Sequence, residues 1–495
     1  MPDDPLRSKE RALDNRHAGG VGALALGWGT TLLVLARVVG YGLSLVNSVL
    51  LARVLGVERL GTYAYAMGLT ALFGLLPNMG ISTVVTRTIA QDPGAGSGVM
   101  RAAVRAQAWL AVAVLIAVPA FAALLPGQPV PLGYVVLAAT QLALGTLSWP
   151  YLAVLGGRGR YDRAAIAELV ATLAGTVSFL VAAVCHGGVA TFLWAQVLGA
   201  GCAVITTRWI ASAFLPRGEE PALRLRRLLH QAIPFGAISA VQSFYTRVDI
   251  LLLGQMASTT ALGLYSAAYK PINMVVYFGG TLAGPLFPLM AQTPQTSAPA
   301  AFRRTMRGLG VVAPAMALIC SGLAGPVLRV FYGSAYAAAA PIMVLLAWSA
   351  AANWLYAPLG VALQARGRER WWLTGLGGGF VVNLLGNLWA IPHWGAIGAA
   401  TATLASEVAL LGFATVLIWW ELSIPASLQS ALYALAAVAG GIALWGLSGL
   451  GPLLATLGSL TVYGACLIAL RSITAQDIAT IIGWSRRAVG DWPRG

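Results

Sequence analysis

Apolar runs of about twenty residues or more follow one another along almost the whole chain. As a helix, each is long enough to cross a hydrocarbon core of ~30 Å. This repetition constrains the fold more than any other feature. In lipid every backbone N–H and C=O must find its partner inside the segment, so runs of this length are read as helices. They fall near 22–50, 61–87, 102–125, 132–156, 165–185, 189–213, 231–254, 262–291, 308–332, 338–364, 372–391, 395–420, 428–448 and 452–470. The expected fold is an all-α polytopic membrane protein of about fourteen spans. The chain is 58% hydrophobic and 9% charged, which a soluble domain does not show.

The formal net charge is +15, and its placement says more than its size. Arg101 and Arg105; Arg158, Arg160 and Arg163; Arg217, Arg224, Arg226 and Arg227; Arg303, Arg304 and Arg307; and Arg366, Arg368 and Arg370 fall at every second turn. The intervening turns, such as Pro126-Gly127-Gln128, His186-Gly187-Gly188, Pro392-His393-Trp394-Gly395 and Gly449-Leu450-Gly451, carry almost no charge. Arg53, Glu58, Arg59 and Arg329 break the pattern. Short basic loops stay in the cytoplasm, so the expected location is the inner (plasma) membrane with both termini cytoplasmic. Nothing points to nucleic acid. Residues 1–20 lack an apolar core and hold Arg7, Lys9, Arg11 and Arg16, so they read as a cytoplasmic tail and not a cleavable signal. Cys185, Cys202, Cys320 and Cys466 are scattered through apolar segments and read as small core residues.

The chain also repeats. Leu50, Leu51, Leu60, Gly61, Tyr63 and Ala66 match Leu252, Leu253, Leu262, Gly263, Tyr265 and Ala268 at one constant offset. Arg158-Gly159-Arg160 recurs as Arg366-Gly367-Arg368, and His186 before Gly188 as His393 before Gly395, at nearly the same offset. Six segments separate each pair, so the halves point the same way, a parallel repeat of the kind transporters use. The expected organisation is an N-lobe of six helices over 21–214 and a cytoplasmic linker over 215–230. A C-lobe of six helices over 231–421 follows, then a helix pair over 422–471 and an amphipathic cytoplasmic tail over 472–495.

Several kinds of chemistry are excluded. The two lysines, Lys9 and Lys270, follow no Gly-rich loop, so there is no phosphate cradle for ATP. The four histidines stand apart, no Cys/His spacing suggests a metal site, and no extramembrane stretch is long enough for a catalytic domain. The expectation is a protein that is not an enzyme, with no metal and no cofactor.

What remains is ionic. A charge at bilayer depth costs between ~2.5 and more than ~10 kcal/mol, so each is a candidate functional group. Arg37 lies about midway along the first segment, roughly 20 Å from either end if Gly22 to Leu51 is helical. Arg247 and Lys270 lie roughly 10–12 Å inside the outer face by the same arithmetic. If these three cations converge, they build a cavity suited to an anion, a diphosphate best of all; alternatively Arg247 and Lys270 snorkel to the interface. Asp249 and Glu407 are either proton or cation coupling sites or purely structural carboxylates. Asn47, the repeat mate of Asp249, with Gln242, Tyr245, Thr246 and Asn383 extends a polar lining, although amides also serve as interhelical hydrogen bonds. Pro77, Pro285, Pro288, Gly279, Gly280 and Gly284 are expected bend points.

The motifs Leu51-Ala52-Arg53-Val54-Leu55-Gly56 through Leu60-Gly61-Thr62-Tyr63, Asn78-Met79-Gly80-Ile81, Leu155-Gly156-Gly157-Arg158-Gly159-Arg160-Tyr161, Val248-Asp249-Ile250 through Leu262-Gly263-Leu264-Tyr265, Phe331-Tyr332-Gly333-Ser334-Ala335-Tyr336 and Gly395-Ala396-Ile397-Gly398 stand in order along the chain. Together they resemble polysaccharide and O-antigen flippases of the multidrug/oligosaccharidyl-lipid/polysaccharide exporter superfamily. The resemblance implies two six-helix lobes packed as a V and alternating access. It also implies transfer of an undecaprenyl-diphosphate-linked oligosaccharide from the cytoplasmic to the periplasmic leaflet, with a glycan polymerase and assembly proteins as partners alongside membrane lipids. Both twelve and fourteen spans occur in such proteins. A drug extruder or lipid II flippase of the same superfamily, and a non-transporting scaffold, are the competing readings.

Overall fold

In a computed structural model, the structure describes residues 5–75, 80–92, 96–127, 129–216, 228, 245, 247–283, 298–422 and 428–470. The linker around 217–227, the entry to segment seven with Gln242 and Thr246, the bend points Pro77, Gly284, Pro285 and Pro288, and the tail from 471 lie outside the described residues.

Among the described residues all regular structure is helical: α1 (Pro5–Leu72), α2 (Ile81–Gln91), α3 (Gly96–Leu124), α4 (Leu132–Thr146), α5 (Trp149–Gly157), α6 (Tyr161–Val184), α7 (Val189–Ser212), α8 (247–256), α9 (Thr259–Ala283), α10 (Ala298–Gly322), α11 (Ala324–Tyr332), α12 (Ala340–Ala365), α13 (Glu369–Leu422), α14 (Leu428–Gly446) and α15 (Pro452–Ala469). Nine helices among them are long and apolar enough to cross a membrane. Two of the nine hold more than one crossing. The 54 residues of α13 would reach about 80 Å if straight, far beyond a ~30 Å core. The helix instead reverses at Gly395, whose φ of 55° and ψ of −127° are open to glycine. Gly398 lies against the Ala390 carbonyl, Gly386 against Ala402, Asn383 against Ser406 and Gly375 against Phe413. Those pairs spread evenly about the reversal, which is the register of an antiparallel helical hairpin. α1 breaks in the same way at Gly56, φ 72°.

Three segments are shorter than expected, among them the run over 308–332, which divides into α10 and α11 at Leu323. The run over 61–87 ends at Leu72, passes through a 3₁₀ turn at Phe73–Leu75, and restarts as α2 behind Gly80 at φ 81°. The run over 132–156 divides into α4 and α5. Pro150 has no N–H to continue the ladder, and the hydroxyls of Thr146 and Ser148 take the carbonyls of Ala143 and Gly145 instead. Gly279 does not bend α9, which is helical throughout. It makes room for the Trp354 indole, whose Nε1 donates to the Val275 carbonyl at 3.0 Å.

The chain forms two compact units. The first comprises Met1–Val54 and Ala66–Ser243, the second Leu55–Tyr65 and Phe244–Gly495. In the first, α6 and α4 pack on α7, and α2 packs on α5 around Ile81, Val85, Ile89, Ala103 and Leu155. In the second, α12 is central, packed by α9, α10 and α13. The C-terminal pair α14–α15 docks on α10, where Gly310 admits the Tyr433 ring and the Tyr463 hydroxyl donates to the Val311 carbonyl at 2.9 Å. Exposed tryptophans near helix ends, Trp209, Trp389, Trp394, Trp420 and Trp445, are the amphipathic rings expected at headgroup level.

The repeat is visible in backbone geometry. Gly159 and Gly367 both have left-handed φ, 66° and 71°. Each closes the same helix end, with Arg160 N–H bonding the Leu155 carbonyl and Arg368 N–H the Leu363 carbonyl. The third landmark is built differently: the left-handed residue is His186 in one copy and Gly395 in the other. The first landmark makes a contact of its own inside the second unit. A Cβ on Gly61 would meet the Thr259 oxygen at 1.8 Å, and one on Gly263 would meet the Val57 oxygen at 2.0 Å. Val57 and Thr259 are separated by the same offset as the two glycines, so the contact is reciprocal and pseudo-symmetric. Gly254 and the Tyr65 ring, with Gln255 Nε2 donating to the Tyr65 hydroxyl, hold residues 55–65 beside it.

Candidate functional site

In the second unit the sequence places polar groups on α8, α9, α12 and α13, helices otherwise built from Leu, Ala, Val and Gly. Burying such groups is tolerable only when they bond one another. Asp249 is 4% exposed, and its carboxylate accepts hydrogen bonds from the Tyr265 hydroxyl and from the Ile250 N–H at 2.8 Å. Across α13, Asn383 Nδ2 donates to Ser406 Oγ at 3.3 Å, Asn387 Nδ2 donates to Asn383 Oδ1 at 3.0 Å, and the Tyr245 hydroxyl donates to Ser406 Oγ at 3.3 Å. One helical step on, buried Glu407 is ringed by Tyr356, Tyr245 and Asn353, and Asn353 Nδ2 donates to the Tyr356 hydroxyl at 2.6 Å. Glu407 Oε2 and Asn387 Oδ1 are buried with no hydrogen-bond partner. Two acceptors are therefore left over in a network that is otherwise closed.

The cations are placed differently. Arg247 is exposed and Lys270 partly so, and they are near enough for their charges to act on each other. Arg247 also lies within range of Asp249. Among the described residues neither cation is in an ion pair. Measured along the helices from the turn at 257–258, Arg247 is about 14 Å away and Lys270 about 17 Å. Pro271 follows Lys270 inside α9 and leaves the Ala267 carbonyl without its helical donor, which loosens the helix beside the lysine.

Arg37 is in the first unit. It lies on α1, five residues past Leu32, where the candidate span begins. Its Nε stands 3.6 Å from Oε2 of Glu168 on α6. The sequence reading passed over Glu168, although a carboxylate about 10 Å inside α6 carries the same cost as the cations it did single out. Asn47 Nδ2 donates to Thr176 Oγ1 at 3.2 Å, and Gly40 approaches Thr172, so α1 and α6 meet along one polar seam. The repeat mates Asn47 and Asp249 thus each bond a helix of their own unit. Tyr265, Ser406 and Tyr356 were also missed; only an amide–phenol spacing of three, Asn353 to Tyr356, marked one of them in the sequence.

Residues 50–341 match the protein-family profile described as "Polysaccharide biosynthesis protein". The chain belongs to this family. One relative, the probable low-salt glycan biosynthesis flippase Agl15 of Haloferax volcanii, is 21% identical over 385 residues, covering 76% of this chain and 79% of that protein. Among solved structures, this chain is similar to the lipid II flippase MurJ in its inward closed conformation. The TM-score is 0.70 at 12% identity, over 89% of this chain and 99% of that one. It is also similar to an inward-facing multidrug-resistance MATE family transporter of the MOP superfamily, with a TM-score of 0.58 at 14% identity over 78% and 96% of the two chains. At such identities the likeness establishes the fold alone, a multi-helix fold of the kind those two proteins share.

Proposed function

We propose that this chain is a flippase that moves an undecaprenyl-diphosphate-linked oligosaccharide from the cytoplasmic to the periplasmic leaflet by alternating access. The observation that carries the reading is the pair Arg247 and Lys270. Two like charges stand near each other on α8 and α9, and among the described residues no carboxylate forms an ion pair with either. Holding them there is costly unless an anion joins them. A diphosphate fits, taking the fork of an arginine and the point charge of a lysine. A pair of this sign repels cationic drugs, which argues against the extruder. Arg37 serves as a further headgroup contact.

The function of the relative Agl15, named a glycan biosynthesis flippase, supports the lipid-linked substrate class. In this reading the polyprenyl tail stays in lipid while the headgroup crosses, both termini are cytoplasmic in the inner membrane, and a glycan polymerase receives the product. A potential negative inside favours outward passage of a dianion by roughly 4–5 kcal/mol per 100 mV. Asp249 and Glu407 are the candidates for ion coupling. Glu407 is the stronger because its Oε2 is unclaimed, whereas both oxygens of Asp249 are engaged. The lining roles of Asn47, Gln242, Tyr245, Thr246 and Asn383 belong to the same proposal.

The test is reconstitution in liposomes with labelled undecaprenyl-diphosphate oligosaccharide and labelled lipid II. Faster leaflet exchange of the oligosaccharide lipid than in protein-free vesicles is expected. No exchange refutes the flippase reading, and exchange of lipid II alone replaces the substrate. In cells, charge reversal of Arg37 and Arg247 together is expected to abolish export at normal protein levels.

A further inference from the structure

The salt bridge between α1 and α6 is an unusual thing to build at bilayer depth. It is single-pronged, with one nitrogen, Nε, and one oxygen at 3.6 Å, and the side chains are 51% and 32% exposed. Pairs of that kind contribute little on their own. Among the described residues it is nevertheless the ion pair Arg37 makes, and the two ends of the guanidinium stay available. The pair sits beside a polar seam between α1 and α6. Thr172 Oγ1 bonds the Glu168 carbonyl at 2.7 Å, Thr176 Oγ1 bonds the Thr172 carbonyl at 2.9 Å, and Asn47 reaches across to Thr176. Asn47 ties α1 to α6 two turns beyond Glu168, and Arg37 reaches the carboxylate on a long flexible stem.

We infer that Glu168 is a displaceable counter-ion, a positioning residue that holds Arg37 when the pathway is empty and yields it to the substrate diphosphate. The inference rests on the flippase reading, in which Arg37 contacts the headgroup. A lone arginine at this depth would swing toward the interface. The glutamate prevents this, and the contact is weak enough for a diphosphate to replace it with shorter, two-pronged, charge-assisted bonds. On release the carboxylate reclaims the guanidinium, which lowers the headgroup's hold at the moment it must leave. No covalent step is involved.

The experiment uses the full chain in lipid nanodiscs with undecaprenyl diphosphate as the probe, and measures affinity, leaflet exchange and thermal stability. Arg37→Ala is expected to weaken binding tenfold or more. Glu168→Gln is expected to tighten it about fivefold, slow exchange, and leave the melting temperature within a few degrees; Glu168→Asp is expected to behave as the unaltered protein. Should the glutamine variant not fold, Glu168→Ala carries the same expectation for binding. Weaker or unchanged binding in the glutamate variants, with Arg37→Ala impaired, overturns the counter-ion role and leaves the flippase reading standing. Unchanged binding in Arg37→Ala overturns the headgroup contact and the counter-ion role with it.

Discussion

Adding one methyl group to Gly61 or to Gly263 is a sharp perturbation of the second unit. Each Cβ would lie 1.8 or 2.0 Å from a backbone oxygen of the facing segment, with the carbonyl carbon at 2.7 or 2.9 Å. Ordinary contact begins near 3.4 Å, so the two backbones would have to part by about 1.5 Å. A backbone carbonyl cannot rotate out of the way as a side chain can. Overpacking of this kind costs typically ~1–3 kcal/mol. The comparison is Gly412→Ala on α13, a helical glycine with nothing within 4 Å, where alanine should gain ~0.5–1 kcal/mol through helix propensity. Heat-induced loss of the monomer peak in detergent reads the difference. Gly61→Ala and Gly263→Ala should each melt well below the unaltered protein, with Gly412→Ala at or above it. If the first two melt with the third, the reciprocal crossing is not formed in solution.

Three further outcomes are expected. Tyr265→Phe leaves buried Asp249 with one donor and should cost ~1–3 kcal/mol, whereas Tyr265→Phe combined with Asp249→Asn should recover part of that loss in the same melting assay. Gly159→Ala and Gly367→Ala, at left-handed helix ends, should each destabilise by ~1 kcal/mol and by similar amounts, since both sites make the same closing bond. Glu407→Gln should remove any dependence of leaflet exchange on an imposed proton or sodium gradient while leaving headgroup affinity within a few-fold, which paired transport and binding measurements would check.

The sequence reading was strongest where lipid leaves the chain no choice. The helical class, the order of the spans and the Arg-Gly-Arg turns follow from hydrophobic length and from glycine's access to positive φ. Breaks inside spans were not legible. The division between α4 and α5 depends on hydroxyls taking nearby carbonyls, and Gly279 was read as a hinge because the indole it accommodates comes from a residue far along the chain. The polar residues were found as types and missed as partners. Asp249 drew notice as a charge, yet the phenol that engages it lies on the next helix. Glu168 was overlooked beside the more conspicuous arginines because interhelical register is not written in spacing. The membership of residues 55–65 in the second unit was likewise invisible, although the glycines that allow it belong to the repeat.

The central claim is that unpaired cations at bilayer depth hold a diphosphate headgroup in transit. It is tested most directly by replacing Arg247 and Lys270 together with glutamine, reconstituting the protein at matched density, and timing leaflet exchange of labelled undecaprenyl-diphosphate oligosaccharide. A fall of tenfold or more, in protein that melts at or above the temperature of the parent once the repulsion is gone, is the expected result. Exchange at the parental rate would contradict it.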